Sequence, residues 1–99
     1  MFGRTRNTTA PLPVVLYTRA ECLLCDEMQA EISRAGRGEH YVLRTVDVDS
    51  ERALKKAFGL RIPVLEIDGH VEFEGRLTAA EFRTRLDAAL RSRREHRHG

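Results

Sequence analysis

Tryptophan is missing from this chain altogether, and 99 residues hold only two cysteines and three prolines. Two cysteines cannot build the disulfide framework that holds many small secreted domains together, so the fold must stand on apolar packing. Nor is there an apolar run approaching the ~18 residues of a membrane-spanning helix, and no membrane association is expected. The opening stretch through Pro13 carries Arg4 and Arg6 but no apolar centre. It does not read as a secretory signal, which points to a reducing, cytoplasmic setting. A strong charge of one sign is also lacking. Seventeen Lys and Arg against fifteen Asp and Glu leave a formal net charge of +2, too little to argue for a nucleic-acid partner.

What is present suits one small globular domain, 41% hydrophobic and 32% charged. A chain of this size buries only about 60–65% of its extendable surface, so the core must be economical. Pro13-Val14-Val15-Leu16-Tyr17-Thr18 is apolar on both faces, the signature of a buried central strand. A helical pattern follows, with Cys25, Met28, Ile32 and Ala35 on one stripe and Gly36 and Gly38 as its stop. Tyr41 to Val48 reads as a second strand with Val42, Val46 and Val48 on one face. Asp49 or Ser50 is placed to cap the next helix, in which Leu54 and Phe58 face inward and Gly59 stands at the stop position.

Ile62-Pro63 opens a third strand, Val64 to Ile67. Asp68-Gly69 is a two-residue hairpin signal, with Val71 and Phe73 alternating on the returning strand. Thr78-x-x-Glu81 is a capping box that starts a last helix striped by Phe82, Leu86 and Leu90. The order is β-α-β-α-β-β-α. A right-handed crossover makes the first two strands parallel, and the hairpin makes the last two antiparallel. An α/β fold with a mixed four-stranded sheet and helices on both faces follows. Residues 13–91 are expected to form this domain, residues 1–12 a disordered N-terminal segment and residues 92–99 a disordered basic tail. Arg91, Arg93, Arg94 and Arg97, with His96 and His98, gather at this very end, which is expected to be a solvated terminus.

Cys22 falls where the first strand ends and the helix begins, and Cys25 lies one turn further in. Unpaired N–H groups and the dipole at a helix N-terminus favour a thiolate at Cys22. Residues three apart on a helix lie side by side, so Cys25 can attack a mixed disulfide formed at Cys22. Arg19 should favour the thiolate, whereas Glu21, Asp26 and Glu27 should oppose it. A zinc site needs four ligands. There is no second cysteine pair, and His40 and His70 lie on separate turns, so no metal site within one chain is expected; one shared between two chains stays open.

Three stretches, taken together, resemble the glutaredoxin-like branch of the thioredoxin superfamily. They are Leu16-Tyr17-Thr18 running into Cys22-Leu23-Leu24-Cys25-Asp26, the strand end Val46-Asp47-Val48-Asp49, and Arg61-Ile62-Pro63-Val64-Leu65 preceded by Phe58-Gly59-Leu60. The resemblance covers Pro13 to Leu90 and is closest to small proteins with a C-x-L-C-D centre. It implies a thioredoxin-like fold in which Pro63 is the family's cis-proline beside the cysteine pair. The backbone of Ile62 would then pair with an extended peptide or glutathione.

Two departures stand out. Leu23-Leu24 replaces the Pro-Tyr of glutaredoxins and presents an apolar rim. The segment that in glutaredoxins binds the glutathione α-carboxylate reads Glu74-Gly75-Arg76-Leu77-Thr78 here, where only Gly75 corresponds. The expected function is thiol–disulfide exchange, with Cys22 and Cys25 catalytic and Arg19, Leu23, Leu24, Ile62, Pro63, Gly75 and Arg76 contacting substrate. Protein or low-molecular-weight disulfides are the expected substrates, and glutathione or a thioredoxin-reductase system the electron donor. No tightly bound cofactor is expected, and a monomer is. The alternative is a redox-sensing or metal- or iron–sulfur-binding module with the same fold and little turnover.

Overall fold

Leu12, Val14 and Leu16 are fully buried on one face of the first strand, while Val15 and Tyr17 are half-buried on the other. That strand is β1, Leu12–Thr18, in the computed structural model, which describes residues 10–96. It is followed by α1 (Leu23–Arg34), β2 (Tyr41–Asp47), α2 (Arg52–Phe58), β3 (Val64–Ile67), β4 (His70–Glu74) and α3 (Ala79–His96). The sheet order is β2-β1-β3-β4. β1 runs parallel to β2 and antiparallel to β3, and β3 forms a hairpin with β4. This is the mixed, four-stranded α/β sheet that the element order implies. Pro13, expected to open β1, is preceded by Leu12, whose side chain belongs to the core.

The main core lies between the sheet and the pair α1 and α3. Met28, Ile32 and Ala35 meet Phe82 and Leu86 over Leu12, Val14, Leu16, Leu65 and Ile67. Tyr41 joins them edge-on to Phe82, ring centroids 5.4 Å apart. On the opposite face Tyr17 stacks on Phe58 of α2 at 4.4 Å. Helices therefore cover both faces. Glycine and capping chemistry end and begin these elements as the sequence implies. Gly36 takes φ +76° just past α1, and Asp68 and Gly69 both have positive φ, as a tight primed hairpin turn requires. Thr78 and Glu81 complete a reciprocal capping box: Thr78 Oγ1 accepts from the Glu81 N–H at 3.1 Å, and Glu81 Oε1 accepts from the Thr78 N–H at 2.9 Å.

Four details differ from the sequence expectations. On β2 it is Tyr41 and Leu43 that pack against the core, and Val42 is 59% exposed. β2 is an edge strand, and alternation alone does not reveal which of its two apolar sets faces the helices. On β4, Phe73 pairs with Leu65 but Val71 pairs with Glu66, because an irregularity between Leu65 and Glu66 admits one extra residue. Val71 is thereby moved away from the core-facing position of Phe73.

Neither Asp49 nor Ser50 caps α2. Glu51 is the cap residue and makes no side-chain cap bond, because Asp49 is drawn into an ion pair and Ser50 Oγ donates to the Asp47 carbonyl. The final helix continues to His96, so residues 92–96, expected to be disordered, are helical. Arg91 and Glu95 stand four apart, and arginines in the last turns suit the negative end of the helix dipole. The expectations for residues 1–9 and 97–99 lie outside the described residues.

The contrast between Phe82 and Val42 gives a direct test. Phe82→Ala should lower the unfolding free energy by about 3–5 kcal/mol, whereas Val42→Ala should change it by roughly 0.5 kcal/mol or less, as an exposed site does. Urea titrations of both variants measure this; comparable losses would mean that β2 is oriented the other way.

Candidate active site

After Thr18 the chain leaves β1 and turns through Arg19, Ala20 and Glu21 into α1. Glu21 has φ +57°, a left-handed conformation that an L-residue with a bulky side chain adopts at a cost. Cys22 then takes an extended conformation as the N-cap of α1. Its Sγ accepts a hydrogen bond from the Cys25 N–H at 3.1 Å, and its carbonyl accepts from the Asp26 N–H at 3.1 Å. A sulfur thus occupies the place usually filled by a serine or aspartate oxygen.

Cys22 and Cys25 are joined as a disulfide, their Cα atoms 5.2 Å apart. Cys25 is 3% exposed and Cys22 is half-buried. Cys22 is thus the more exposed of the two, and Cys25 is shielded against the core. The order expected from sequence, an accessible Cys22 and a buried Cys25, is present.

The other half of the site comes from the approach to β3. Ile62-Pro63 is a cis peptide bond, and Pro63 is fully buried. Val64 pairs with Tyr17, so Pro63 arrives at the end of the sheet where β1 gives way to the cysteines. The Pro63 carbonyl accepts from the Gly75 N–H at 2.8 Å, which ties the segment after β4 to this point. Gly75 has φ +83° there. The Ile62 N–H donates to the Phe58 carbonyl at 3.1 Å.

The remaining candidate residues separate into two groups. Leu24, Gly75 and Arg76 line one cleft of about 510 Å³ between α1 and the start of α3. Leu23 lies next to Cys22 and is 71% exposed. Arg76 reaches Glu27 at 3.3 Å. Arg19 is not in that cleft. Its Nε and Nη2 donate to Asp49 at 2.9 and 3.1 Å, and its Nη1 donates to the Gly59 carbonyl at 3.1 Å. Gly59 is needed for this close approach, since a Cβ there would lie 2.5 Å from the Lys55 carbonyl oxygen and 3.3 Å from Arg19 Nη2. Arg61 pairs with Glu74 and lies over the Phe58 ring.

Two contributors were not expected at the site from sequence. Asp49 is the partner of Arg19, thirty residues away, and no local pattern connects them. Glu31 accepts from the Ala79 N–H at 2.9 Å while pairing with Arg34 at 2.7 Å. The Glu31/Arg34 spacing was readable; the link to α3 was not. Among the described residues no three His, Cys, Asp or Glu side chains come together as a metal site, and no helix is long and apolar enough to cross a membrane.

A cysteine pair at a strand-to-helix junction, opposite a cis-proline at the start of an antiparallel strand, is the arrangement of the thioredoxin fold. The glutaredoxin-like domain (DUF836) profile matches residues 13–88, and the chain belongs to that family. XcR50 from X. campestris has a crystal structure that superposes with a TM-score of 0.67 at 35% identity. The match covers 76% of this chain and 96% of XcR50. Protein Ne2328 from Nitrosomonas europaea gives 0.66 at 23% identity, over 87% of this chain and 99% of its own. A mutant thioredoxin from Halobacterium salinarum gives 0.58 at 21% identity, over 82% and 77% respectively. A search of curated proteins returns no match. The fold and the cysteine pair at disulfide distance fit a redox function.

Two measurements test this description. In the reduced protein, Cys22 should be alkylated by iodoacetamide at least ~10-fold faster than buried Cys25, as accessibility and thiolate character dictate. Peptide mass mapping resolves the two, and equal rates would contradict the assigned order. The second concerns Asp49, whose carboxyl is held below its ordinary range chiefly by the Arg19 hydrogen bond. A carboxylate with a lowered folded-state pKa contributes stability above its unfolded value of ~3.9 and loses it as pH falls through the folded value. Asp49→Asn should therefore lower Tm at pH 5–7, and the difference from wild type should shrink as pH falls below ~3.9 and close once it is below the folded-state value. A difference that persists unchanged at low pH would mean that the ion pair is not its source.

Proposed function

We propose that this protein is a thiol–disulfide oxidoreductase that reduces protein or small-molecule disulfides through the Cys22–Cys25 pair. The observation that carries the reading is the position of Cys22, capping α1 with an accessible sulfur bonded to buried Cys25. In the reduced form the Cys22 thiolate attacks a substrate disulfide, forming a mixed disulfide and releasing one substrate thiolate. Cys25, three residues on, then attacks Cys22 Sγ, releasing the second substrate thiol and restoring the intramolecular disulfide. Two electrons pass to the substrate, and the protons of the two cysteine thiols accompany them. A thiol or dithiol donor returns both electrons and protons.

The Cys25 N–H that bonds Cys22 Sγ in the disulfide form would stabilise the Cys22 thiolate of the reduced form. Leu23 and Leu24 form the apolar rim against which a partner rests, and Ile62-Pro63 orients its backbone. Glutathione or a thioredoxin-reductase system is the donor under this reading. The protein acts as a monomer in a reducing compartment, without a resident cofactor or a nucleic-acid partner.

The test is a disulfide-reduction assay on wild type, Cys22→Ser and Cys25→Ser, with each donor supplied separately. Wild type should turn over with at least one donor. Cys22→Ser should lose activity by more than ~100-fold, as loss of a nucleophile does, and Cys25→Ser should accumulate a mixed disulfide detectable by mass. If wild type does no better than buffer with every donor, the oxidoreductase reading is wrong.

A further inference from the structure

The cleft beside the disulfide runs from Leu24 along α1 to Glu31 and Arg34, with Gly75, Arg76, Thr78 and Glu81 on its other wall. Glu31 lies seven residues beyond Leu24, about 10 Å along a helix rising 1.5 Å per residue. A tripeptide extended at ~3.4 Å per residue has the same length. The far end of this cleft is the start of α3, whose N–H groups would ordinarily attract an anion.

Three of the N–H groups at this end are already in use. The Ala79 N–H donates to Glu31, the Thr78 N–H to Glu81 and the Glu81 N–H to Thr78 Oγ1. The two cations that line the cleft are matched as well, Arg34 by Glu31 and Arg76 by Glu27. Glu31, Glu27 and Glu81 thus give the cleft three carboxylates against two guanidinium groups. The Glu31 carboxyl stays ionised, held down chiefly by Arg34 and then by the Ala79 N–H.

We propose that Glu31 is a specificity-determining residue of the redox site. It fills the α3 N-terminus with the chain's own carboxylate, so that the cleft discriminates against anionic thiols, glutathione among them, and accepts neutral or cationic ones. This rests on the exchange reading above. The step it governs is reduction of the disulfide form. A donor thiolate attacks Cys22 Sγ, forming a donor–Cys22 disulfide and releasing the Cys25 thiolate, which takes up a proton. A second donor thiolate attacks the donor sulfur, releasing the oxidised donor disulfide and the reduced Cys22. Two donor thiols are oxidised and two cysteines are reduced. Glutathione, with two carboxylates and one ammonium, would bring a net negative charge along the length of the cleft. 2-Mercaptoethanol brings none and cysteamine a positive one.

The experiment measures the second-order rate of reduction of the full-length disulfide form by glutathione, 2-mercaptoethanol and cysteamine, each expressed per thiolate. Wild type should react with glutathione more slowly than with 2-mercaptoethanol, and added salt should narrow the gap. Glu31→Gln should raise the glutathione-to-2-mercaptoethanol rate ratio roughly 3–10-fold, the size of one partly screened charge. Glu31→Ala, which also frees the Ala79 N–H, should raise it further.

An unchanged ratio in Glu31→Gln, or a wild-type glutathione rate that falls with salt, overturns the proposal. The salt arm needs no variant and stands even if a substitution fails to fold. If none of the three thiols reduces the wild-type disulfide, the exchange reading fails and this proposal fails with it, a result distinct from an unchanged ratio.

Discussion

β1 is hydrogen-bonded along both edges and packed on both faces, and both halves of the redox site take their positions from it. It pairs in parallel with β2 from Leu12↔Tyr41 to Thr18↔Asp47, and antiparallel with β3 from Val14↔Ile67 to Tyr17↔Val64. A one-residue slip would turn Leu12, Val14 and Leu16 out of the core and put Val15 and Tyr17 into it, so the register is strongly held. With the end of β1 held, the turn through Glu21 has only three residues in which to reach the start of α1. Cys22 follows as the cap. The antiparallel register of β3 brings Pro63 to that same end of the sheet, so two segments forty residues apart in sequence converge without any bond between them being required.

This explains why the fold and the cysteine pair were legible in the sequence. A strand buried on both faces shows as an unbroken apolar run, a capping box as Thr78-x-x-Glu81 and a primed turn as Asp68-Gly69; each of these signals lies within a few residues. The features that escaped are those decided by partners distant in sequence. Edge strand β2 carries two apolar sets, and only the docking of Phe82 against Tyr41 selects between them. Asp49 is a good cap residue by type, yet a bidentate bond to Arg19 draws it away from α2. The cis state of Ile62-Pro63 was implied by family resemblance alone, since the local sequence favours trans. The helical continuation through residues 92–96 was missed because charge density was taken to mean disorder, although arginine is a good helix former.

The arginines near the site illustrate the same point for function. From sequence, Arg19, Arg61 and Arg76 are a ready supply of positive charge for an anionic substrate or a thiolate. In the folded protein each meets a carboxylate of the chain itself: Asp49, Glu74 and Glu27 respectively. All of these pairs are solvent-accessible, and such pairs contribute little stability individually. Their larger consequence is electrostatic. An arginine matched by a nearby carboxylate projects a dipole rather than a charge, and its influence on a sulfur or a ligand several ångströms away falls off steeply in water.

What faces the Cys22 sulfur is the backbone. The Cys25 N–H points at the sulfur from 3.1 Å, and α1, twelve residues long, adds the positive end of its dipole. The N–H is held in place by the helix itself, and the carboxylates nearest in sequence, Glu21, Asp26 and Glu27, are solvent-exposed. The left-handed turn at Glu21 acquires a role on this view. It is the backbone conformation that lets the chain leave β1 and still present the Cys22 sulfur, rather than its carbonyl alone, to the free N–H groups of α1. The surroundings of the Cys22 sulfur are therefore set more by main-chain geometry than by side-chain charge, in a chain with an acidic surround and Leu23-Leu24 between its cysteines.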